Sequence, residues 1–315
     1  MSSTKGSADL VVIHPLEPED ASVVHAMRAA VRAAKGVPWT VGSRPQYDAL
    51  MERAQPPDDV TFESGTVGGV PGLWVRPASA RSSDAILYLH GGWFVAGSAK
   101  AYRYLVGHIA VRAATRAFVP EYRLAPEHPF PAAVEDGLAA YRGMADTGIR
   151  GIAIAGDSAG GNLALVLAAQ VTAKVSPAYL PLLGAAVFSP VTDLTLSGAS
   201  YETRADADPL FTRSQVAALV RAYLGTADPL DPLASPLEGP LTGLPPIRIY
   251  VGDDEVLLDD ARRYVARAVA AGSDARLDVW NGMPHGFVGN IGTLKASAQA
   301  LDAIGAFLSE RLQAR

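Results

Sequence analysis

Residues 152–167 read Ile152-Ala153-Ile154-Ala155-Gly156-Asp157-Ser158-Ala159-Gly160-Gly161-Asn162-Leu163-Ala164-Leu165-Val166-Leu167. The apolar residues before Gly156 fit a buried strand and the run after Asn162 fits a helix, so Ser158 stands at the apex of a sharp strand-to-helix turn. A turn this tight brings backbone and neighbouring side chains close together, which calls for glycine on either side of the serine, at Gly156 and Gly160. The helix starting near Ala159 aims its first free N–H groups and its positive dipole end at whatever Ser158 attacks. Ser158 is therefore a candidate nucleophile. The same residues also describe a bare glycine turn, so the context decides. An oxyanion loop is expected upstream, and an acid followed by a histidine downstream.

Upstream, Ala85-Ile86-Leu87-Tyr88-Leu89 is an apolar strand that ends in His90-Gly91-Gly92-Trp93-Phe94. Glycines there let backbone N–H groups approach a substrate oxygen. Gly91 and Gly92, with the N–H of Ala159, are the expected oxyanion donors, and a plain turn at a strand end is the alternative. His90 is expected to be a structural hydrogen-bonder. Downstream, the strand Pro246-Ile247-Arg248-Ile249-Tyr250-Val251 runs into Gly252-Asp253-Asp254-Glu255. Catalytic groups of open parallel sheets gather at such C-terminal strand ends, although adjacent acids also describe a solvated turn. A further strand, Arg276-Leu277-Asp278-Val279-Trp280, leads into the loop Gly282-Met283-Pro284-His285-Gly286-Phe287. With an ordinary pKa near ~6.5, His285 can take a proton from a serine hydroxyl and return it to a leaving group. One of the acids would hold its other ring nitrogen.

These motifs closely resemble the hormone-sensitive-lipase-like branch of the α/β-hydrolases, the bacterial family IV esterases. The resemblance extends to Glu121-Tyr122-Arg123-Leu124-Ala125-Pro126-Glu127-His128-Pro129-Phe130-Pro131, to Ser189-Pro190-Val191-Thr192-Asp193-Leu194, and over roughly Val60 to the C-terminus. It implies an α/β-hydrolase fold with a helical cap and a triad of Ser158, an acid and His285. Within the family, Gly68-Gly69-Val70-Pro71-Gly72-Leu73-Trp74-Val75 and Glu255-Val256-Leu257-Leu258-Asp259-Asp260 are similar to short-chain esterases and monoterpene lactone hydrolases. Two departures stand out. Trp93 occupies the place of the family's third glycine, and an ungapped match puts Glu255 where the family has aspartate. Glutamate is an accepted triad acid in this chain order. Asp254 stays open as the alternative, and Trp93 is expected to narrow the substrate site.

Composition narrows the partners. The 315 residues carry a formal charge of −5 and no cysteine. No basic stripe offers itself to nucleic acid, and disulfides, thiolate metal sites and a cysteine nucleophile are excluded. His14, His25, His108 and His128 lack ligand-like spacing with carboxylates, so neither metal nor cofactor is expected. Met1 to Leu10 shows no signal-peptide core and no window reaches the ~18 apolar residues of a membrane span. A cytoplasmic location follows as the expectation, and the reading leaves room for a homodimer.

Alternating strands and helical runs over residues 85–310 indicate a mostly parallel sheet with helices on both faces. Residues 1–58 are read as an N-terminal cap segment, including a helix over Ala21–Ala34, and residues 59–315 as the core. A second cap insertion is expected over about 195–240, with a helix from Thr212 to Leu224. Trp39, Trp93, Phe94, Tyr201 and Phe211 are the aromatic candidates for the substrate pocket, although aromatics of this kind more often belong to the core. The resulting expectation is a serine hydrolase of short-chain carboxylic esters acting through an acyl-enzyme. A lactone hydrolase with the same triad is the alternative substrate reading. A non-catalytic small-ligand receptor is the alternative of another class, disfavoured by the presence of His285.

Overall fold

Apolar segments alternate with helices along the chain, and the strands assemble into one sheet in the computed structural model, which describes residues 10–81, 83–174 and 179–313. The strands are β1 (Val11–His14), β2 (Val60–Val67), β3 (Val70–Pro77), β4 (Ala85–Leu89), β5 (Ala117–Pro120), β6 (Ile152–Asp157), β7 (Leu182–Phe188), β8 (Ile247–Gly252) and β9 (Ala275–Trp280). Their order across the sheet is β1-β9-β8-β7-β6-β4-β5-β3-β2. Pairing is parallel from β1 through β5 and antiparallel only for β3 and β2 at the far edge.

The helices are α1 (Pro18–Val31), α2 (Arg44–Met51), α3 (Arg103–Arg112), α4 (Ala132–Gly143), α5 (Ser158–Ala173), α6 (Ser200–Thr203), α7 (Arg213–Leu224), α8 (Leu258–Ala270) and α9 (Lys295–Gln313). Successive strand residues point to opposite faces, so Leu87, Leu89 and Ile154 pack with Leu163 and Leu167 of α5. Ile86, Tyr88 and Ala153 pack with Leu105 and Ile109 of α3 and Leu301 and Leu308 of α9. Covered on both faces, the central strands are apolar along most of their length. The α5 helix is buried around nearly its whole circumference, and each fully buried leucine contributes about 1.5–3 kcal/mol.

Register carries the consequence for function. Leu89 pairs with Gly156, which sets the loop after β4 beside the turn after β6. Gly252 pairs with Trp280, which sets the acidic turn beside the loop holding His285. With Asp157 opposite Phe188 and Phe188 opposite Tyr250, all five strands end at one edge of the sheet.

The N-terminal segment departs from the expectation of a cap alone. Val11–His14 adds a parallel edge strand to β9, from Val11 opposite Leu277 to His14 opposite Trp280, and the two rings of that last pair stack at 4.0 Å. The expected helix over Ala21–Ala34 begins at Pro18 and ends at Val31, followed by a 3-10 turn at Arg32–Ala34.

Candidate active site

Ser158 has φ of +54°, the left-handed region that non-glycine residues avoid. Holding a residue there costs roughly 1–3 kcal/mol, which the packed strand and helix on either side sustain. The flanking glycines are steric necessities. A Cβ on Gly156 would lie 2.5 Å from the Gly160 carbonyl oxygen, and one on Gly160 would lie 2.0 Å from that of Leu89. The Val191 N–H donates to the Ser158 carbonyl at 3.2 Å and steadies the apex.

Glu255 is fully buried. Its Oε2 lies 2.8 Å from His285 Nδ1, while Oε1 accepts from Ser189 Oγ and from the Gly252 N–H, both at 2.7 Å. A carboxylate held this way accepts only, so His285 Nδ1 carries the hydrogen and Nε2 is left basic. The neighbouring acids are engaged elsewhere. Asp254 pairs with Arg28 of α1, and Asp253 accepts from the Gly282 N–H. Burial alone would lower the His285 pKa, but the charge and hydrogen bond of Glu255 outweigh it, aided by Asp208 and Asp157, and hold it above its ordinary value. Ser158 and His285 line one cavity of about 20 Å³, with Met51, Leu105, Phe188, Ser189 and Val288 among its walls. That is room for about one water molecule.

The loop after β4 corrects one expectation. The Gly91 N–H donates to Asp157 Oδ1 at 3.0 Å and is therefore committed away from a substrate oxygen. The N–H groups of Gly92 and Trp93 have no hydrogen-bond partner among the described residues. The Ala159 N–H belongs to the first turn of α5, where no intrahelical carbonyl reaches it. Gly92 is obligatory, since at φ of +114° a Cβ would lie 2.2 Å from the Ala96 carbonyl oxygen. His90 is structural. Its Nδ1 donates to the Gly91 carbonyl at 2.8 Å, its ring stacks on Tyr122 at 4.2 Å, and burial pushes its pKa down to about 4.

A family description for the alpha/beta hydrolase fold matches residues 86–289 of this chain. The chain is 41% identical over 269 residues to an acetyl-hydrolase of Streptomyces hygroscopicus, covering 83% of this chain and 87% of that protein. To an esterase of Acinetobacter venetianus it is 34% identical over 247 residues, covering 78% and 80% respectively. The crystal structure of an esterase from the bacterial hormone-sensitive lipase family superposes with a TM-score of 0.86 at 40% identity, covering 94% of this chain and 99% of that one. The chain belongs to this esterase family. It is a carboxylic-ester hydrolase of the hormone-sensitive-lipase type.

The five aromatic candidates divide. In this esterase the Phe211 ring stands edge-on to His285 at 5.2 Å and to Trp93 at 5.4 Å, so both lie at the site. Phe94 does not. Its ring stacks on Tyr223 of α7 at 3.7 Å, which makes it a packing residue. Tyr201 is also packing, buried beside the Asp260 and Asp193 carboxylates, although burial is the larger cause that raises its phenol pKa. Trp39 is half-buried against the same core cluster as Trp93. The two segments expected as cap pieces bind each other, since Arg28 donates to the Ala207 carbonyl at 2.7 Å and Gln215 to that of Val37 at 2.8 Å. Arg44 of α2 donates to the Val95 carbonyl at 2.7 Å and the Ala125 carbonyl at 2.9 Å, holding α2 against the loop after β4.

Sequence reasoning passed over Asp157, Ser189 and Met51. Asp157 receives Tyr88 Oη at 2.9 Å and Tyr102 Oη at 3.1 Å, and Tyr102 bonds Tyr47 of α2 at 2.7 Å. Burial raises the Asp157 pKa to about 6 against these hydroxyls, the nearby His285 and the Gly91 N–H. Ser189 was visible in the Ser-Pro-Val-Thr-Asp stretch, whereas nothing local marks Met51. Among the described residues no group of three or more His, Cys, Asp and Glu side chains could hold a metal ion. Among them, too, no helix is long and apolar enough to cross a membrane.

Proposed function

We propose that the chain hydrolyses short-chain carboxylic esters through an acyl-enzyme, with Ser158 as nucleophile, His285 as general base and acid, and Glu255 as the acid that orients it. The observation that carries the reading is that His285, held by the buried Glu255 carboxylate, lines the same cavity as the strained Ser158. Ser158 Oγ attacks the ester carbonyl carbon as His285 Nε2 takes its proton. The tetrahedral oxyanion is held by the N–H groups of Gly92, Trp93 and Ala159. His285 returns the proton to the departing alcohol, and water, activated by the same imidazole, releases the acid.

A p-nitrophenyl ester panel from acetate to octanoate tests the reading directly. Acetate and butyrate are expected to turn over fastest, and absence of hydrolysis across the panel would sink the proposal. Lactones follow the same route with the alcohol tethered to the acyl group and belong in the same panel.

Two further results are expected. His285 must be neutral to act as base, so activity is present above its pKa and lost as pH falls through it. With that pKa raised, the acid limb of kcat/KM should lie above the ordinary histidine value of ~6.5. A limb near 5.5 would contradict the Glu255 assignment.

The second concerns Trp93, which supplies an N–H from its backbone and bulk from its indole. Trp93→Gly keeps the N–H and relieves a φ of +53°. Each methylene that a pocket newly admits is worth ~1–3 kcal/mol, so the octanoate-to-acetate ratio should rise at least tenfold. Loss of so large a buried side chain costs about 3–5 kcal/mol, more than the relieved strain returns. Rates therefore have to be compared below the lowered Tm. An unchanged chain-length profile would place the indole away from the acyl site.

A further inference from the structure

Asp208 lies in the loop between α6 and α7 and is fully buried. Its Oδ1 accepts the N–H groups of Leu210 at 2.8 Å and Phe211 at 2.9 Å, and its Oδ2 accepts that of Val256 at 2.9 Å. Val256 directly follows Glu255, and Phe211 is the ring that stands edge-on to His285 and Trp93. One carboxylate therefore joins the turn carrying the acid to the aromatic wall beside the base. The loop is anchored in its turn. The Asp208 N–H donates to the Arg204 carbonyl at 2.8 Å, and Lys35 donates to the carbonyls of Ala205 and Asp208.

Three backbone donors converge on this side chain, a demand that a carboxylate meets with two accepting oxygens and an asparagine amide cannot. We propose that Asp208 is a positioning residue for ester hydrolysis, fixing the Glu255 turn and the Phe211 ring against His285 and so setting both the basicity of the imidazole and the width of the opening beside it. The inference rests on the triad assigned above. The charged groups facing His285 are Glu255 from the turn after β8, Asp157 from the end of β6 and Asp208 from this loop. All three favour the protonated ring. The nearby cations are engaged, Arg28 with Asp254 and the carbonyls of Ala207 and Gly282, and Lys35 with the carbonyls above.

Asp208→Asn, assayed as the full-length chain, separates this role from a merely structural one. The acid limb of kcat/KM is expected to move to lower pH and the octanoate-to-acetate ratio to rise. Plateau kcat should fall by up to ~10²-fold, the scale of a small misplacement of reacting groups. A variant that loses thermal stability but keeps the wild-type limb and chain-length ratio overturns the proposal. Following the His285 imidazole by NMR titration in wild type and variant needs no substrate. A lowered pKa supports the proposal and an unchanged one overturns it, even if the wild type proved inactive and the triad reading failed on its own. Should Asp208→Asn not fold, Phe211→Ala, which keeps the carboxylate, carries the test. A raised octanoate-to-acetate ratio is expected, and an unchanged ratio overturns the role of the wall.

Discussion

Ser158→Ala should lower kcat for p-nitrophenyl acetate by about 10⁶-fold, the scale seen when the nucleophile of a serine protease is removed. The fold should be unaffected. Alanine at φ of +54° is no more strained than serine there, the residue is only 4% exposed, and the glycines that shape the turn are untouched. Thermal midpoint and circular dichroism are therefore expected to match the wild type. Labelling by a fluorophosphonate, which requires the hydroxyl as nucleophile, should vanish together with activity. A residual rate near ~10³–10⁴ over water from binding and the oxyanion site is compatible with the mechanism. Wild-type turnover in a folded Ser158→Ala protein is not, and would send the search to another nucleophile.

Glu255→Gln carries the next largest expected loss, about 10⁴-fold in kcat, by analogy with an acid-to-amide change that forces the wrong histidine tautomer in a serine protease. The geometry explains why an isosteric change is so costly. Oε1 already receives two hydrogen bonds, from Ser189 and the Gly252 N–H, so the amide nitrogen must turn toward His285 Nδ1. A nitrogen that donates there requires the imidazole to carry its hydrogen on Nε2, where it cannot accept the serine proton. The lost negative charge should also lower the His285 pKa and move the acid limb of any residual activity to lower pH. Asp254→Asn is the matched control. Its partner is Arg28, in an ion pair whose side chains are 30% and 17% exposed, and such a partly exposed pair is worth about 0–1 kcal/mol. Only a few-fold change in activity is expected. If kcat instead fell further for Asp254→Asn than for Glu255→Gln, the acid would have to be reassigned.

The serine turn was legible because its causes lie within a few residues. An apolar strand, a serine and glycines on both sides mark a tight strand-to-helix turn, and the 2.0 Å approach of a Gly160 Cβ to the Leu89 carbonyl oxygen shows how little room other residues have. The parallel sheet with helices on both faces was legible from the alternation of apolar strands and helical runs, and His285 from its place in the loop after the last of these strands.

What the residues near a position could not show was which partner reaches it from far along the chain. Asp253, Asp254 and Glu255 are adjacent acids, among which an ungapped match favours Glu255 and leaves Asp254 as the alternative. They are told apart by which way the turn after β8 points each carboxylate, toward Gly282, Arg28 or His285. Gly91 looked like an oxyanion donor until β4 and β6 paired in a register that gives its N–H to Asp157. Phe94 and Phe211 are the same residue type, yet one stacks on Tyr223 and the other stands edge-on to His285. Val11–His14, too short to be read as a strand, is one because β9 offers an open edge. Sequence by itself determined the fold class, the serine turn and the histidine, since backbone sterics and hydrophobic periodicity act locally. Tertiary structure alone decided which carboxylate reaches His285, which N–H groups of the loop after β4 lack a partner among the described residues, where the Phe211 ring stands and where Asp208 sits, since each depends on pairing register and on contacts that local sequence does not show.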